Sequence, residues 1–206
     1  MKKRLIDYLM ASAGGNKGIT FAGEAKEIFV SYRELLETGY GISRKLYDCG
    51  VRQGDKVIIY CKDTVNFVYG YWSCLIGGYT AVPIDVKNEV DGIFFDSRFH
   101  ENGYILTDFS DELEGKVRNV ININDQMSRS EWTSESVAGS TDIIYIQYSS
   151  GTTSKTKGVM VRERNLIADV LGLIDRMQVT EDDVFLSWQP LTHCYGMITY
   201  HIVPLV

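Results

Sequence analysis

The amino-acid sequence predicts an α/β protein whose mostly parallel sheet is covered by helices. Two observations carry this prediction. Strand-like segments such as KVIIYC (56–61) and DIIYIQYS (142–149) are almost continuously apolar, which is typical of strands buried on both faces of a parallel sheet. These segments alternate along the chain with helical patterns, and that order favours strand–helix–strand units. Ligands of such sheets bind beyond the carboxyl ends of the strands, where a predicted loop over 149–158 falls.

The individual elements follow from periodicity, caps and turn residues. Ser31 with Glu34 three residues later forms a capping box, which predicts a helix that begins there and ends near Gly50. Asp63 or Thr64 is expected to cap a third, apolar helix. In chain order the predicted elements are a helix over 3–12, a β-hairpin over 19–30, a helix over 31–50, a strand over 56–61, a helix over 64–77, strands over 81–85, 104–108 and 117–123, a polar surface loop over 125–141, a strand over 142–149, a helix over 162–177, a strand over 183–189 and a helix from about 194.

Composition and charge limit the class of protein. The chain has 206 residues, of which 45% are hydrophobic and 23% are charged, as in an ordinary globular protein. Its 21 basic and 27 acidic residues give a net charge of −6. A non-specific nucleic-acid binder is normally basic, so we expect no nucleic-acid partner.

The cysteines and the N-terminus indicate a cytoplasmic protein. The four cysteines form no C-x-x-C pair, so neither a zinc-finger spacing nor a thioredoxin-type motif is present, and we expect free thiols in a reducing compartment. Asp7 interrupts the N-terminal apolar stretch, which therefore lacks the core of a signal peptide. No apolar run approaches the roughly 18 residues of a membrane span, so we expect no transmembrane segment.

The segment YSSGTTSKTKG (148–158) has the composition of a phosphate-binding loop. Small residues let the backbone approach a ligand, and successive backbone N–H groups can surround a phosphate. The hydroxyl groups of Ser149, Ser150, Thr152 and Thr153 could donate further hydrogen bonds, and two lysines supply positive charge. The alternative is a flexible Ser/Thr loop, which is common in any protein.

Two familiar nucleotide motifs are excluded by spacing. Counted from Gly151, a Walker A motif needs glycine where Thr156 stands and a hydroxyl residue where Gly158 stands. A dinucleotide fingerprint fails as well, because the G-x-G at Gly39 and Gly41 lies in a predicted helix and lacks the third glycine.

The sequence resembles the adenylate-forming superfamily, which contains acyl-CoA synthetases, peptide-synthetase adenylation domains, fatty acyl-AMP ligases and luciferases. The loop is similar to the signature [ST]-S-G-[ST]-T-G-x-P-K-G, with Ser154 in place of a glycine and Thr156 in place of the proline. Three further segments match in the family's order: VSYREL (30–35), SCLIGGYTAVPID (73–85) and PLTHCYGM (190–197). The phrases QYSSGTT and SWQPLTH look closest to the fatty acyl-AMP ligase branch.

The resemblance implies a two-step activation of a small-molecule carboxylate. The acid attacks the α-phosphate of Mg-ATP to give acyl-AMP and pyrophosphate, and a thiol then often accepts the acyl group. That thiol belongs to coenzyme A or to the phosphopantetheine of an acyl or peptidyl carrier protein. Lys157 is the matched signature lysine, and the unmatched Lys155 is expected to be solvated. The phosphate-binding residues implied by the match are Ser149, Ser150, Gly151, Thr152, Thr153, Ser154, Lys157 and Gly158, with Thr152 and Thr153 as candidate magnesium contacts.

The PLTHCYGM segment supplies the residues for the acyl side. By the same resemblance, His193 and Gly196 lie beside the carboxylate and acyl pocket. For His193 the alternative is a satisfied histidine at a helix start. Cys194 suggests a nucleophile, but the favoured interpretation is an inert thiol at an apolar helix start. His201 has no acidic neighbour in the sequence, so a metal site there is not expected.

Family members are longer and carry groups that this sequence does not match. These are a Y-G-x-T-E segment, a ribose-binding aspartate, a hinge and a C-terminal domain with a catalytic lysine. We therefore expect residues 1–206 to be part of a large N-terminal AMP-binding domain, inactive alone and prone to self-association through its apolar ending MITYHIVPLV. The alternative function is a non-catalytic interaction or carrier-binding module that keeps the family's N-terminal half.

Overall fold

The computed structural model describes residues 3–23, 26–87, 103–115, 117–125, 142–149 and 157–206. The helices are α1 Leu5–Ser12, α2 Tyr32–Asp48, α3 Thr64–Gly77, α4 Glu163–Met177 and α5 Cys194–Met197, with a 3-10 turn at Ser110–Leu113. The strands are β1 Gly18–Ala22, β2 Glu27–Ser31, β3 Lys56–Tyr60, β4 Thr80–Pro83, β5 Tyr104–Thr107, β6 Val120–Asn122, β7 Ile143–Ser149 and β8 Lys157–Arg162. Within these ranges no helix is both long and apolar enough to cross a bilayer.

The strands form a six-stranded sheet in the order β6-β5-β3-β4-β7-β8 and a separate two-stranded hairpin, β1-β2. Every neighbouring pair from β6 to β7 is parallel, and β8 alone runs antiparallel to its neighbour. Ile58 of β3, for example, lies opposite Val82 of β4 on one side and Ile105 of β5 on the other. The predicted mostly parallel α/β sheet is confirmed.

Both faces of the sheet are buried, which explains the continuous apolar strands. Alternate residues of β3 point to opposite faces, so Val57 and Ile59 join a large cluster while Ile58 and Tyr60 join a smaller one. The large cluster is covered by α1, α2, α3, α4 and the C-terminal residues. The smaller cluster is closed by residues such as Leu113 of the 3-10 turn.

The N-caps predicted at Ser31 and Asp63 are present, but the predicted capping box is only half formed, because the Glu34 carboxylate accepts the Tyr69 hydroxyl instead. Ser31 Oγ accepts the backbone N–H of Glu34 at 3.1 Å, and Asp63 Oδ1 accepts those of Val65 and Asn66 at 2.7 and 3.0 Å. Each bond satisfies donors that the first helical turn leaves unpaired. Helix α3 ends at Gly78, which adopts the left-handed conformation with φ 68°.

The predicted strand over 183–189 was wrong. Within it, Phe185 packs against the large cluster, while Val184, Leu186 and Trp188 are 96, 81 and 71% exposed. A strand also needs a backbone partner, and none of the described strands pairs with this segment. Period-two apolar spacing alone was therefore insufficient evidence for a strand.

The predicted passage from the 149–158 loop directly into a helix was also wrong. Strand β8 lies between them, and α4 begins only at Glu163. The loop thus connects two antiparallel strands. The polar segment predicted over 125–141 falls almost entirely outside the described residues.

The C-terminal helical run changes its hydrogen-bonding pattern along its length. After the four residues of α5 it continues as a π-helical turn over Ile198–Ile202 and a 3-10 turn over Val203–Leu205. A π turn inside a helix places one extra residue in the turn and is frequent near functional sites. We refer to Cys194–Leu205 as the C-terminal run.

Candidate functional site

Two of the predicted motifs meet at the carboxyl end of β7. Gln147 Nε2 donates a hydrogen bond to the backbone oxygen of Thr192 at 2.9 Å. Gln147 lies two residues before Ser149, the last residue of β7, and Thr192 immediately precedes His193. The structure therefore brings the start of the phosphate loop and the PLTHCYGM segment together, at the edge of a parallel sheet where such folds bind ligands.

The ends of the phosphate loop are held by the β7–β8 ladder. Ser149 pairs with Lys157, and Tyr148 pairs with Gly158. The Lys157 side chain is exposed, as the predicted phosphate contact requires. The loop residues Ser150, Gly151, Thr152, Thr153 and Ser154, together with Lys155, lie outside the described residues, so their roles stay predictions.

Gly158 permits close packing across the ladder. A Cβ at this position would lie 2.9 Å from Ile146 Cγ2 and 3.3 Å from Tyr148 Cζ. The missing side chain lets the Tyr148 ring lie against β8 beside the loop. Close packing therefore explains why a glycine occupies position 158, independently of any contact with phosphate.

His193 caps the helix that follows it. Its Nδ1 accepts the backbone N–H of Tyr195 at 3.2 Å, and its own backbone N–H donates to Pro190 O at 3.0 Å. This geometry is the satisfied helix-start histidine that the sequence left as an alternative. The ring is nevertheless exposed, and its Nε2 takes no part in the cap. A capping and a substrate-orienting role are therefore compatible.

Gly196 is required by the turn before α5. A Cβ there would lie 2.4 Å from Pro190 O, a backbone atom that cannot rotate away. The Pro190–His193 turn thus rests directly on the first turn of the helix, and Gly196 is buried beneath it. This close approach explains the glycine of the sequence pattern P-L-x-H-x-x-G, because a side chain at that position would collide with the proline carbonyl.

The nearby thiol shows no sign of activation. Cys194 Sγ lies 3.9 Å from His193 Nδ1, the atom already engaged in the helix cap. Two other cysteines, Cys61 and Cys74, are buried, and burial raises the pKa of each thiol. These observations agree with inert thiols.

The described residues do not by themselves form a metal site. No group of three or more His, Cys, Asp or Glu side chains that could hold an ion occurs in the described ranges. The magnesium contacts predicted at Thr152 and Thr153 lie outside these ranges and stay predictions. His201 is buried in the core, where it accepts the indole N–H of Trp72 at 2.8 Å.

Sequence reasoning missed the bridging role of Gln147. Its signal was a single amide side chain in the otherwise apolar strand IIYIQYS. A polar side chain in a buried strand needs a partner. The partner, Thr192, is 45 residues further along the chain, so no local pattern could name it.

The chain is similar to known acid-activating enzymes over nearly all of its length. It is 26% identical to a medium-chain-fatty-acid–[acyl-carrier-protein] ligase of Moorena producens, over 98% of this chain and 37% of the relative. It is 28% identical to a long-chain-fatty-acid–AMP ligase of Mycolicibacterium smegmatis, over 74% of this chain and 27% of the relative. The chain therefore spans well under half the length of these relatives.

Solved structures show the same fold. The adenylation domain of a keto acid-selecting peptide-synthetase module, bound to keto acyl adenylate, superimposes with a TM-score of 0.86 at 22% identity, over 99% of this chain and 40% of that one. The fatty acid AMP ligase of Legionella pneumophila gives 0.83 at 23% identity, over 98% of this chain and 38% of that one. The family model of the AMP-binding enzymes matches residues 13–206. The chain belongs to the AMP-binding enzyme family.

Proposed function

We propose that this chain forms the phosphate-binding and acyl-facing part of a ligase that converts a carboxylate and ATP into acyl-AMP and pyrophosphate. The observation that carries the proposal is the hydrogen bond from Gln147 to Thr192, which joins the two family motifs at one edge of the sheet. One motif has phosphate-binding chemistry and the other bears the exposed ring of His193. Formation of acyl-AMP requires the carboxylate and the α-phosphate of ATP to be held side by side, and two adjacent motifs suit this requirement.

The proposed reaction forms one bond and breaks one bond. A carboxylate oxygen attacks the α-phosphorus of ATP, and the bond from that phosphorus to the bridging oxygen of pyrophosphate breaks. The electron pair leaves with pyrophosphate, whose negative charge grows. Donors fixed in advance stabilise such charge most effectively, and we assign this task to the ammonium of Lys157, whose backbone pairs with Ser149 at the start of β8.

For the acid and the acceptor, we propose fatty acids and a carrier-protein thiol as the first to test. The names of the Moorena and Mycolicibacterium relatives support the fatty acid, and the Moorena ligase's name also includes an acyl carrier protein. A solved structure of McyG with phenylalanyl-adenylate, 25% identical over 98% of this chain, makes amino acids the second choice. Coenzyme A is the alternative thiol, supported by the 2-succinylbenzoate–CoA ligase of Bacillus subtilis.

We further propose that residues 1–206 form only part of a large N-terminal AMP-binding domain and do not turn over alone. The chain contains no match to the family's Y-G-x-T-E segment or to its C-terminal lysine domain. Groups that act as one catalytic unit leave almost no activity when several are missing. For localisation, we propose a reducing, cytoplasmic compartment, which suits the free cysteines of the chain.

The test is acid-dependent exchange of labelled pyrophosphate into ATP. The complete encoded protein that contains this chain should catalyse exchange with at least one acid from a panel of medium-chain and long-chain fatty acids, amino acids and aryl acids. The 206-residue chain should show none. Absence of exchange across the whole panel in the complete protein would contradict the proposal and favour a non-catalytic carrier-binding module. Exchange by the 206 residues alone would contradict the proposal that they lack part of the active site.

A further inference from the structure

A buried hydrogen bond between two aromatic side chains connects the core to the C-terminal run. Trp72 Nε1 donates to His201 Nε2 at 2.8 Å, and the two residues are 0 and 6% exposed. The bond fixes the tautomer of His201, because Nε2 must be unprotonated to accept. Loss of either partner would leave a polar group buried without its partner, which is costly.

The position of His201 in the C-terminal run gives this bond a reach beyond the core. His201 lies on the π-helical turn Ile198–Ile202, eight residues after His193. His193 is the N-cap immediately before this run, and its backbone oxygen accepts the N–H of Met197 at 3.0 Å. Because a helical segment is stiff, the hydrogen bond that holds His201 also restricts the position of His193.

The Trp72–His201 pair belongs to an aromatic cluster that also contains a residue of β7, the strand that leads to the phosphate loop. The Tyr71 ring lies 6.2 Å from Trp72, 6.3 Å from Tyr145 and 6.4 Å from His201, edge to face in each case. Tyr145 is part of β7, four residues before Ser149. Burial raises the pKa of Tyr145 to about 12. One cluster therefore joins α3, β7 and the C-terminal run.

The segment from His193 to Gly196 is thus bracketed by two side-chain hydrogen bonds. Gln147 of β7 holds Thr192 on one side, and Trp72 of α3 holds His201 on the other. We propose that the Trp72–His201 hydrogen bond is a positioning contact that keeps His193 and Gly196 at the carboxyl end of β7. The inference rests on the proposed function, which gives these two residues their place beside the acyl pocket.

Three substitutions separate positioning from packing. His201→Leu removes the acceptor and keeps an apolar side chain in the core. His201→Gln keeps an acceptor, its amide oxygen, near the position of Nε2 and should rescue the effect. Tyr71→Phe is the matched control, because it lies in the same cluster and its hydroxyl is buried without a hydrogen-bond partner among the described residues. If His201→Leu does not fold, Trp72→Phe removes the donor instead.

The first readout does not depend on activity. The rate at which iodoacetamide alkylates Cys194 in the 206-residue chain is followed by peptide mass spectrometry, well below each variant's melting temperature. Since an unsatisfied buried group weakens local structure, we expect His201→Leu to accelerate alkylation about tenfold, with wild-type rates for Tyr71→Phe and His201→Gln. Equal rates in His201→Leu and wild type would overturn the proposal.

The second readout is pyrophosphate exchange by the complete encoded protein. Misplacement of His193 should raise KM for the carboxylate about tenfold and leave KM for ATP unchanged, since the phosphate loop is held separately by β7 and β8. A fall in kcat with both KM values unchanged would mean fewer folded molecules and would overturn the positioning role. If the wild-type protein shows no exchange at all, the proposed function fails, and the Cys194 rates still decide the positioning contact.

Discussion

Lowering the pH should weaken the fold through one buried imidazole, that of His201. The folded protein holds this ring neutral, because it is buried and its Nε2 accepts the N–H of Trp72. Burial lowers the pKa of His201 from 6.5 to about 4. At about 1.36 kcal/mol per pH unit, this difference corresponds to about 3 kcal/mol of unfolding free energy.

The direction follows from proton binding. Between pH 6.5 and about pH 4 the unfolded chain binds a proton at this histidine and the folded chain does not, so the unfolding free energy decreases as the pH falls. The contribution is complete above pH 6.5 and is lost below about pH 4. Tyr71 and Cys74, in the surrounding core, have pKa values raised by burial and stay neutral in this window. Two carboxylates of α4 act on this cluster, Glu163 on Tyr71 and Asp169 on Tyr145, and both are kept in every variant.

Urea unfolding of the 206-residue chain between about pH 4 and about pH 8 measures the effect. Over this range the unfolding free energy of His201→Gln should fall by about 3 kcal/mol less than that of wild type, whatever the variant's stability at neutral pH. Tyr71→Phe, which removes no group that titrates in the window, should follow the wild-type curve. Parallel curves for wild type and His201→Gln would show that the ring is not held neutral, and would refute the reasoning.

Two further predictions concern glycines and the exposed apolar surface. Gly196→Ala should destabilise the chain by about 1–3 kcal/mol in urea unfolding, because its Cβ would lie 2.4 Å from Pro190 O. Gly172→Ala, whose Cβ would meet nothing within 4 Å in the middle of α4, should stabilise it by about 0.5–1 kcal/mol; the opposite order would contradict the packing described here. The expectation that the ending MITYHIVPLV is an exposed apolar surface was wrong, because Met197, Ile202, Val203 and Leu205 pack into the large cluster and are at most 6% exposed. The chain should instead self-associate through side chains such as Leu186 and Trp188, which are 81 and 71% exposed. Light scattering should show a lower average mass when both are replaced by lysine, and a wild-type monomer at high concentration would count against this.

Much of the fold could be predicted from the sequence because its determinants are local. The caps at Ser31 and Asp63 and the apolar run of β3 each lie within a few residues of the feature they specify. Strand β8 was missed because its apolar trio, VMV, is too short to distinguish from the start of the following helix. The 183–189 segment failed for the opposite reason, since its local pattern is strand-like and pairing is not a local property.

The site could be predicted only as separate motifs. The residue types of the phosphate loop and of PLTHCYGM indicate their chemistry, but their meeting depends on Gln147 and Thr192, which are 45 residues apart. The Trp72–His201 bond spans 129 residues, and no local pattern in the sequence connects its two partners. Long-range pairs of this kind are set by the packing of whole elements, which periodicity does not encode.

The most direct test of the central claim compares two lysines of one loop. In the complete encoded protein, Lys157→Ala should slow acid-dependent pyrophosphate exchange by about 30- to 1000-fold, the loss expected when about 2–4 kcal/mol of transition-state stabilisation is removed. Lys155→Ala, two residues away and unmatched in the signature, should exchange at close to the wild-type rate. Thermal melting of both variants should match wild type. An unchanged exchange rate in Lys157→Ala, or an equal loss in both variants, would contradict the assignment of Lys157 to the phosphate of ATP.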